Sequence, residues 1–284
     1  MTDPGLNVTN LKYFYDAVDA ESISESARRN FVTQSAVSQG IQKLERALST
    51  PLISHQRNCF KVTPEGEAVF ALTLQLLKIL KEIETVTKEA KDVVSGQINV
   101  VCTQSVAMNL FCPVLQKFKQ EYPQVTVKMK IGKMESISTM LKRGVMDFGV
   151  VVESEICDQF ERSLIRRGFF NVYSAQGMHY SLHDGIYVDH CSGLYVERLL
   201  DSYRKQFQKE LHILQELDSW QVLAKCAENG IGCCFLPDFL LAENHTMKQH
   251  TELLSIPYRI VAIHPRGGHL SRAAATFIDF LGNK

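Results

Sequence analysis

The residues best suited to chemistry in this chain are polar side chains gathered at the start of one short helix. Ser24–Ser49 read SESARRNFVTQSAVSQGIQKLERALS, a pattern of helix, tight connection and second helix. In the second helix Val37, Ile41, Leu44 and Leu48 are spaced 4, 3 and 4, which gives one buried stripe. Thr33 suits the N-cap, because its hydroxyl can accept a bond from an unpaired backbone N–H of the first turn. Gln34, Ser35, Ser38, Gln39, Gln42 and Lys43 fall off the stripe. A helix that exposes such groups at its N-terminal end can enter a major groove and bond base edges. The plainer alternative is a small helical hairpin with a wet face.

The flanking residues favour the first reading. Residues 50–65, TPLISHQRNCFKVTPE, predict a short polar hairpin edged by Arg57 and Lys61, a wing beside the second helix. Residues 28–61 hold Arg28, Arg29, Lys43, Arg46, Arg57 and Lys61 against the single acid Glu45. Asp16, Asp19, Glu21 and Glu25 come earlier, so the basic residues are expected to form a segregated face that docks on phosphates.

Taken together, NLKYFYDAVDAESISESARRNFVTQSAVSQGIQKLERALSTPLISHQRNCFKVTPEGEAV resembles the N-terminal winged helix-turn-helix of LysR-type transcriptional regulators. The shared elements are Leu11–Lys12–Tyr13–Phe14, Ser24–Arg28, Thr33–Ser38, Ile41–Leu44–Glu45, Pro51–Leu52 and Val62–Thr63 with Glu65–Gly66. The chain departs from the family in its wing. Ile53, His55 and Asn58 stand where Phe, Arg and a further Arg are usual, so the wing is expected to grip DNA less firmly. Thr33, Gln34, Ser35, Ser38, Gln39, Lys43, Arg57 and Lys61 are the candidate DNA-binding residues.

A long helix follows. Thr63–Pro64–Glu65 supplies a cap, a proline tolerated at the first helical position and an acid that favours the helix N-terminus. Val69, Leu72, Leu76, Ile79, Ile83, Val86, Ala90 and Val93 alternate by 3 and 4, and Ser95–Gly96 is the expected stop. So long an apolar stripe needs cover, either from its own domain or from a second copy of the helix. The resemblance implies the latter, a dimerising linker.

From residue 96 onward short apolar strands alternate with helices. Strands are expected at Ile98–Cys102, Val125–Ile131, Asp147–Val152, Phe169–Tyr173, Gly185–Val188, Leu211–Leu214, Ile231–Leu236 and Tyr258–His264. Helices are expected at Val106–Gln120 (interrupted by Pro113), Ser136–Arg143, from about Leu194, at Ser219–Asn229 and at Ser271–Leu281. The fold class is therefore α/β with an N-terminal winged helix-turn-helix, a linker helix and, as the resemblance implies, two Rossmann-like lobes of periplasmic-binding-protein type. The implied domains are 1–65 for DNA binding, 66–95 for dimerisation and 96–284 for effector binding. Within the last, lobe I is 96–165 with 257–284 and lobe II is 166–256. Such folds bind ligands beyond the C-terminal ends of their strands. Loops there supply the effector candidates Thr103, Gln104, Ser105, Met134, Ser136, Glu153, His190 and Ser192, each of which also suits an ordinary cap or turn. Free N–H groups beside hydroxyls favour an organic anion as effector.

Two rival functions have some support in the sequence. His179, His183, His190 and Cys191 lie close together and the chain has eight cysteines, which raises a metal or thiol sensor. Gly177 and Gly185 flank the histidine pair, no CxxC occurs, and adjacent Cys233–Cys234 should point to opposite faces of a strand. Neither a metal nor a cofactor is therefore expected. His190–Cys191 as base and nucleophile would make an enzyme, but sequence neighbours seldom face each other, and no Gly-rich phosphate loop or nucleophile elbow occurs. A free solute-binding protein fits residues 96–284 alone. Zero formal net charge, 45% hydrophobic residues, no signal-like start and no membrane-length apolar run predict a cytoplasmic protein. Expected partners are double-stranded DNA, a small-molecule effector and a second copy; the resemblance adds a homotetramer and RNA polymerase.

Overall fold

The structure is a computed structural model that describes residues 6–54, 60–88, 93–189, 193–241 and 246–283. Arg57, His190 and Ser192, together with His55, Asn58, Ala90 and Cys191, lie outside the described residues.

Three helices, α1 (Val8–Asp19), α2 (Ile23–Arg29) and α3 (Gln34–Leu48), and the hairpin of β1 (Ile53–Ser54) with β2 (Lys61–Val62) form the head. Each helix starts on a bonded side-chain cap: Asn7 accepts from Thr9, Ser22 from Glu25 and Thr33 from Ala36. Val37, Ile41 and Leu44 are buried with Phe14, Ala17 and Leu52, so the apolar stripe of α3 is the floor of the head. Gly40 permits the close crossing of α1 and α3, since a Cβ there would lie 2.8 Å from the Tyr13 ring. Helix α4 (Pro64–Lys88) leaves the head with Phe70 buried in it and Val69 and Leu76 packed against it. Leu72, Ile79 and Ile83 of the same helix remain exposed. Its described end is Lys88, and Gly96 opens the next strand rather than closing the helix.

The remaining elements are β3 (Gly96–Cys102), α5 (Gln104–Val106), a π-turn at Ala107–Phe111, α6 (Cys112–Glu121), β4 (Val125–Ile131), α7 (Met134–Lys142), β5 (Phe148–Val152), β6 (Phe160–Ala175), β7 (Ile186–Asp189), α8 (Gly193–Phe207), β8 (Ile213–Leu217), α9 (Trp220–Glu228), β9 (Cys233–Pro237), β10 (Met247–Gln249), β11 (Ile256–Pro265) and α10 (Arg272–Gly282). The strands run in the order β4-β3-β5-β11-β6-β9-β7-β8, with β10 also on β6. Strands β3, β4 and β5 are mutually parallel, as are β7, β8 and β9. The long antiparallel pair β6/β11 crosses between these two parallel sets.

Two expectations need correction. Pro113 does not interrupt a helix. It lies within a helical run that continues from α5 into α6, and the pitch widens into a π-turn immediately before it. Strand β6 begins at Phe160, well before Phe169. Its polar stretch Glu161–Arg167 is extended because β11 pairs with it from His264 back to Arg259, with one register shift between Val261 and Ile260 that passes over Ile165, a partner the local sequence does not reveal. Cys233 and Cys234 do face opposite ways, one in each of two separate apolar clusters.

Candidate DNA-reading face and effector cleft

Thr33, Gln34, Ser35, Gln39 and Lys43 of the recognition-helix set are exposed, Ser38 is half-buried, and Lys61 is exposed on the wing strand. They share one side of the head because the apolar stripe anchors the other. Without DNA, the Gln34 amide donates to Ser24 Oγ at 2.6 Å and that of Gln39 to Ser35 Oγ at 3.3 Å. Bonding a base edge requires these groups to exchange partners.

The basic face is smaller than the residue count predicts. Arg28 makes a two-point bond to Glu25, at 2.9 and 2.6 Å. Arg29 lies 2.6 Å from Asp19, 3.6 Å from Glu25 and 3.8 Å from Asp16. The Arg28 bond, chiefly, holds the Glu25 carboxyl below its ordinary pKa. The early acids thus fold back onto the arginines of α2 rather than standing apart from them. The sequence reading also missed Glu45, whose Oε1 accepts from Leu52 N at 2.8 Å and Ile53 N at 3.1 Å. That clip ties the last turn of α3 to the start of the wing.

At the other end of the molecule, Gly132 N bonds to Cys102 O at 3.0 Å, so the loops after β3 and β4 are neighbours. Thr103, Gln104 and Ser105 therefore stand beside the loop that leads to Met134 and Ser136. Gln104 and Ser136 are exposed, Met134 is half-buried and Ser105 is buried. Thr103 precedes α5 but makes no side-chain cap bond, and its Oγ1 is buried without a partner. A buried hydroxyl left unpaired is costly unless something bonds it in use. Glu153 is placed differently from the rest. Its carboxylate receives Arg259 Nε at 2.5 Å and Arg162 at 3.2 Å, so in this state it serves the β6/β11 crossing.

The two parallel sets touch directly across the cleft. Lys133 Nζ lies 2.5 Å from Asp218 Oδ2, Gln221 Nε2 lies 3.2 Å from Met108 Sδ, and Tyr195 OH donates to Glu153 O at 2.6 Å. Burial, then the Glu153 charge, pushes the Tyr195 phenol up to about 12, so it stays a donor at neutral pH. None of Lys133, Tyr195, Asp218 or Gln221 was anticipated. Their partners are far away in the chain, and only Lys133, in a candidate loop, was hinted at. A cavity of about 660 Å³ lies elsewhere, between α4 (Phe70, Leu74, Ile79) and the β3/β5 edge. Next to it Lys78 bonds Gly144 O at 3.0 Å and pairs with Asp147, which in turn accepts from Asn99 N at 2.7 Å.

Of the rival cluster, His190 and Cys191 lie outside the described residues. Among the described residues, no group of three His, Cys, Asp or Glu is placed to hold a metal. His183 is exposed, and its Nδ1 meets Tyr203 OH at 2.5 Å, so its ring already has a side-chain partner. Burial raises Cys102 and Cys234 to about 12 and Cys233 to about 11, which keeps these thiols protonated and unreactive.

A family model described as bacterial regulatory helix-turn-helix protein, lysR family, matches residues 8–67, and one described as LysR substrate binding domain matches residues 91–284. The chain belongs to the LysR family of transcriptional regulators. Among its curated relatives, the HTH-type transcriptional regulator EstR of Acinetobacter baylyi is 27% identical over 145 residues, 51% of this chain and 48% of that protein. The matched segment thus spans about half the length of such relatives. Among solved structures, full-length LysG from Corynebacterium glutamicum with bound effector Arg has a TM-score of 0.70 at 16% identity, covering 98% of this chain and 97% of that one. Vibrio fischeri DarR in complex with DNA has a TM-score of 0.56 at 17% identity, covering 98% and 99%. These two likenesses concern the fold. LysR membership fits a fold in which a helix-turn-helix head and a two-set α/β half are joined by one long helix. Among the described residues no helix is long and apolar enough to cross a membrane.

Proposed function

We propose that this protein regulates transcription in the cytoplasm as a non-catalytic homodimer that reads DNA with α3 and senses a small molecule in its C-terminal half. The observation that carries the reading is the exposed polar N-terminal side of α3, held rigid by a buried stripe and by the Glu45 clip. Gln34 and Gln39 bond base edges, while Ser35, Ser38, Lys43, Arg57 and Lys61 hold phosphates. Residues 66–95 pair two chains. The exposed Leu72, Ile79 and Ile83 on α4 support this, since such a row is normally covered. Tetramer formation and contact with RNA polymerase complete the proposal.

An organic anion in the cleft of residues 96–284 is the proposed effector. The unpaired Thr103 hydroxyl and the nearby Lys133 support that assignment. By replacing the direct cross-cleft contacts with its own, the ligand favours one arrangement of the lobes and so changes the spacing of the two heads. LysG, solved with bound Arg, and DarR, solved with DNA, supply analogies for the two sites.

Selection of duplexes from a random library by the full chain, followed by footprinting, tests the reading. The expected product is a site of two half-sites about one helical turn apart. Binding to it should weaken steeply with salt. Enrichment of no sequence, or of a lone half-site bound by a monomer, contradicts it.

A further inference from the structure

Phe31 stands in the turn between α2 and α3 with its side chain 96% exposed; no other large apolar side chain described exceeds 69%. Its φ of +56° puts a bulky aromatic residue in the left-handed region, which costs L-residues stability and favours Gly or Asn. Asn30, the neighbour better suited to that conformation, has φ −98°. Its amide is committed elsewhere, donating to Asp16 Oδ2 at 2.6 Å and Ser26 O at 2.9 Å. The left-handed position falls on Phe31 because it follows the α2 cap: Phe31 N bonds Arg28 O at 3.3 Å and Val32 N bonds Ala27 O at 3.1 Å, closing the end of the helix with the ring turned outward.

Among the described residues of the head, none covers that ring. The apolar residue before the cap, which normally packs on the first turn of the helix, is Val32, half-buried in the core cluster that contains Val37. The cap itself is Thr33. The left-handed backbone thus serves the end of α2, whereas the exposure of the ring serves no described residue, which leaves the ring available for contact. The occupant follows from position. Phe31 lies two residues before the cap, at the end of α3 that a groove receives, continuous with exposed Thr33, Gln34 and Ser35 and next to the turn carrying exposed Arg28.

We propose that Phe31 contacts duplex DNA, its ring packing on a thymine 5-methyl group at the groove edge beside the base read by Gln34. Apolar contact with that methyl is one of the few ways a side chain without hydrogen-bonding groups can report sequence in the major groove. This inference rests on the DNA-reading function proposed above.

The test uses the full chain and a duplex selected by it from a random library. Phe31→Asn keeps a residue that tolerates the left-handed conformation. It should leave the melting temperature unchanged or raised and weaken the selected duplex about tenfold. Replacing each thymine by uracil, which removes only the methyl, should weaken wild-type binding at one position per half-site and leave Phe31→Asn indifferent at that position. Equal affinity of the two proteins overturns the inference, as does a flat uracil scan in the wild type. Intact DNA binding by Phe31→Asn with loss of promoter activation also overturns it, by pointing to a protein partner. A wild-type chain that retains no duplex at all overturns the DNA reading itself, whereas normal wild-type binding with an indifferent variant overturns only the role of Phe31.

Discussion

The reading face and the cleft organise their chemistry in opposite ways. On α3, the candidate side chains are near neighbours in sequence and follow helical spacing, and Gln34 and Gln39 bond only to small hydroxyls that are easily exchanged. In the cleft, the chemistry is assembled from distant residues that bind one another: Lys133 with Asp218, Tyr195 with Glu153, Gln221 with Met108. The first is a surface kept ready for a rigid ligand. The second is a set of contacts that a ligand must displace, which suits a switch between arrangements.

The contrast can be tested through reactivity and stability. If the C-terminal half works by ligand displacement rather than thiol chemistry, its buried cysteines should be nearly inert. Burial raises the Cys233 pKa to about 11, so at pH 8 the thiolate is roughly one part in a thousand. Exposed Cys112 should therefore alkylate far sooner than Cys102, Cys233 or Cys234, as peptide mapping by mass spectrometry would reveal. Comparable rates would revive a thiol sensor.

Leu44→Ala, at a fully buried position on the floor of the head, should cost about 2–5 kcal/mol there. Trp220, the chain's single tryptophan, sits in the other half and reports separately. Helical circular dichroism should show a weakened head transition while tryptophan fluorescence keeps its denaturant midpoint. A joint shift would mean that the two regions unfold as one. Glu45→Gln should cost about 1–3 kcal/mol by weakening the clip to the wing backbone, and operator affinity should fall with it. Unchanged unfolding and binding would remove the clip from the account. Thr103→Val should cost no stability and should raise it by about 1 kcal/mol, because it removes a buried hydroxyl that has no partner. Its effect on function should be a weakened effector dose response; an unaltered one would exclude Thr103 from the cleft site.

The head was legible because short-range rules govern it. The stripe from Val37 to Leu48, the Thr33 cap and the polar set follow from spacing alone, and they reappear as a buried floor and an exposed side. What escaped the sequence depends on long-range pairing. Arg28 and Arg29 look like part of a basic face until Glu25 and Asp19 fold onto them. Glu161–Arg167 looks like loop until β11 pairs with it. Glu153 follows β5 at its C-terminal end, and no local pattern foretells that Arg162 and Arg259 bind its carboxylate. Except for Glu25, which stands i,i+3 to Arg28 on α2, the deciding partner lies beyond the reach of periodicity.

The central claim, that the N-terminal end of α3 reads bases, is tested most directly by Gln34→Ala. Affinity should be measured by fluorescence anisotropy on a selected duplex and on a scrambled one at the same salt. The account predicts a loss of about 1–3 kcal/mol on the selected duplex with little change on the scrambled one, so that discrimination falls. Equal losses on both duplexes would show that Gln34 holds the backbone and that the bases are read elsewhere.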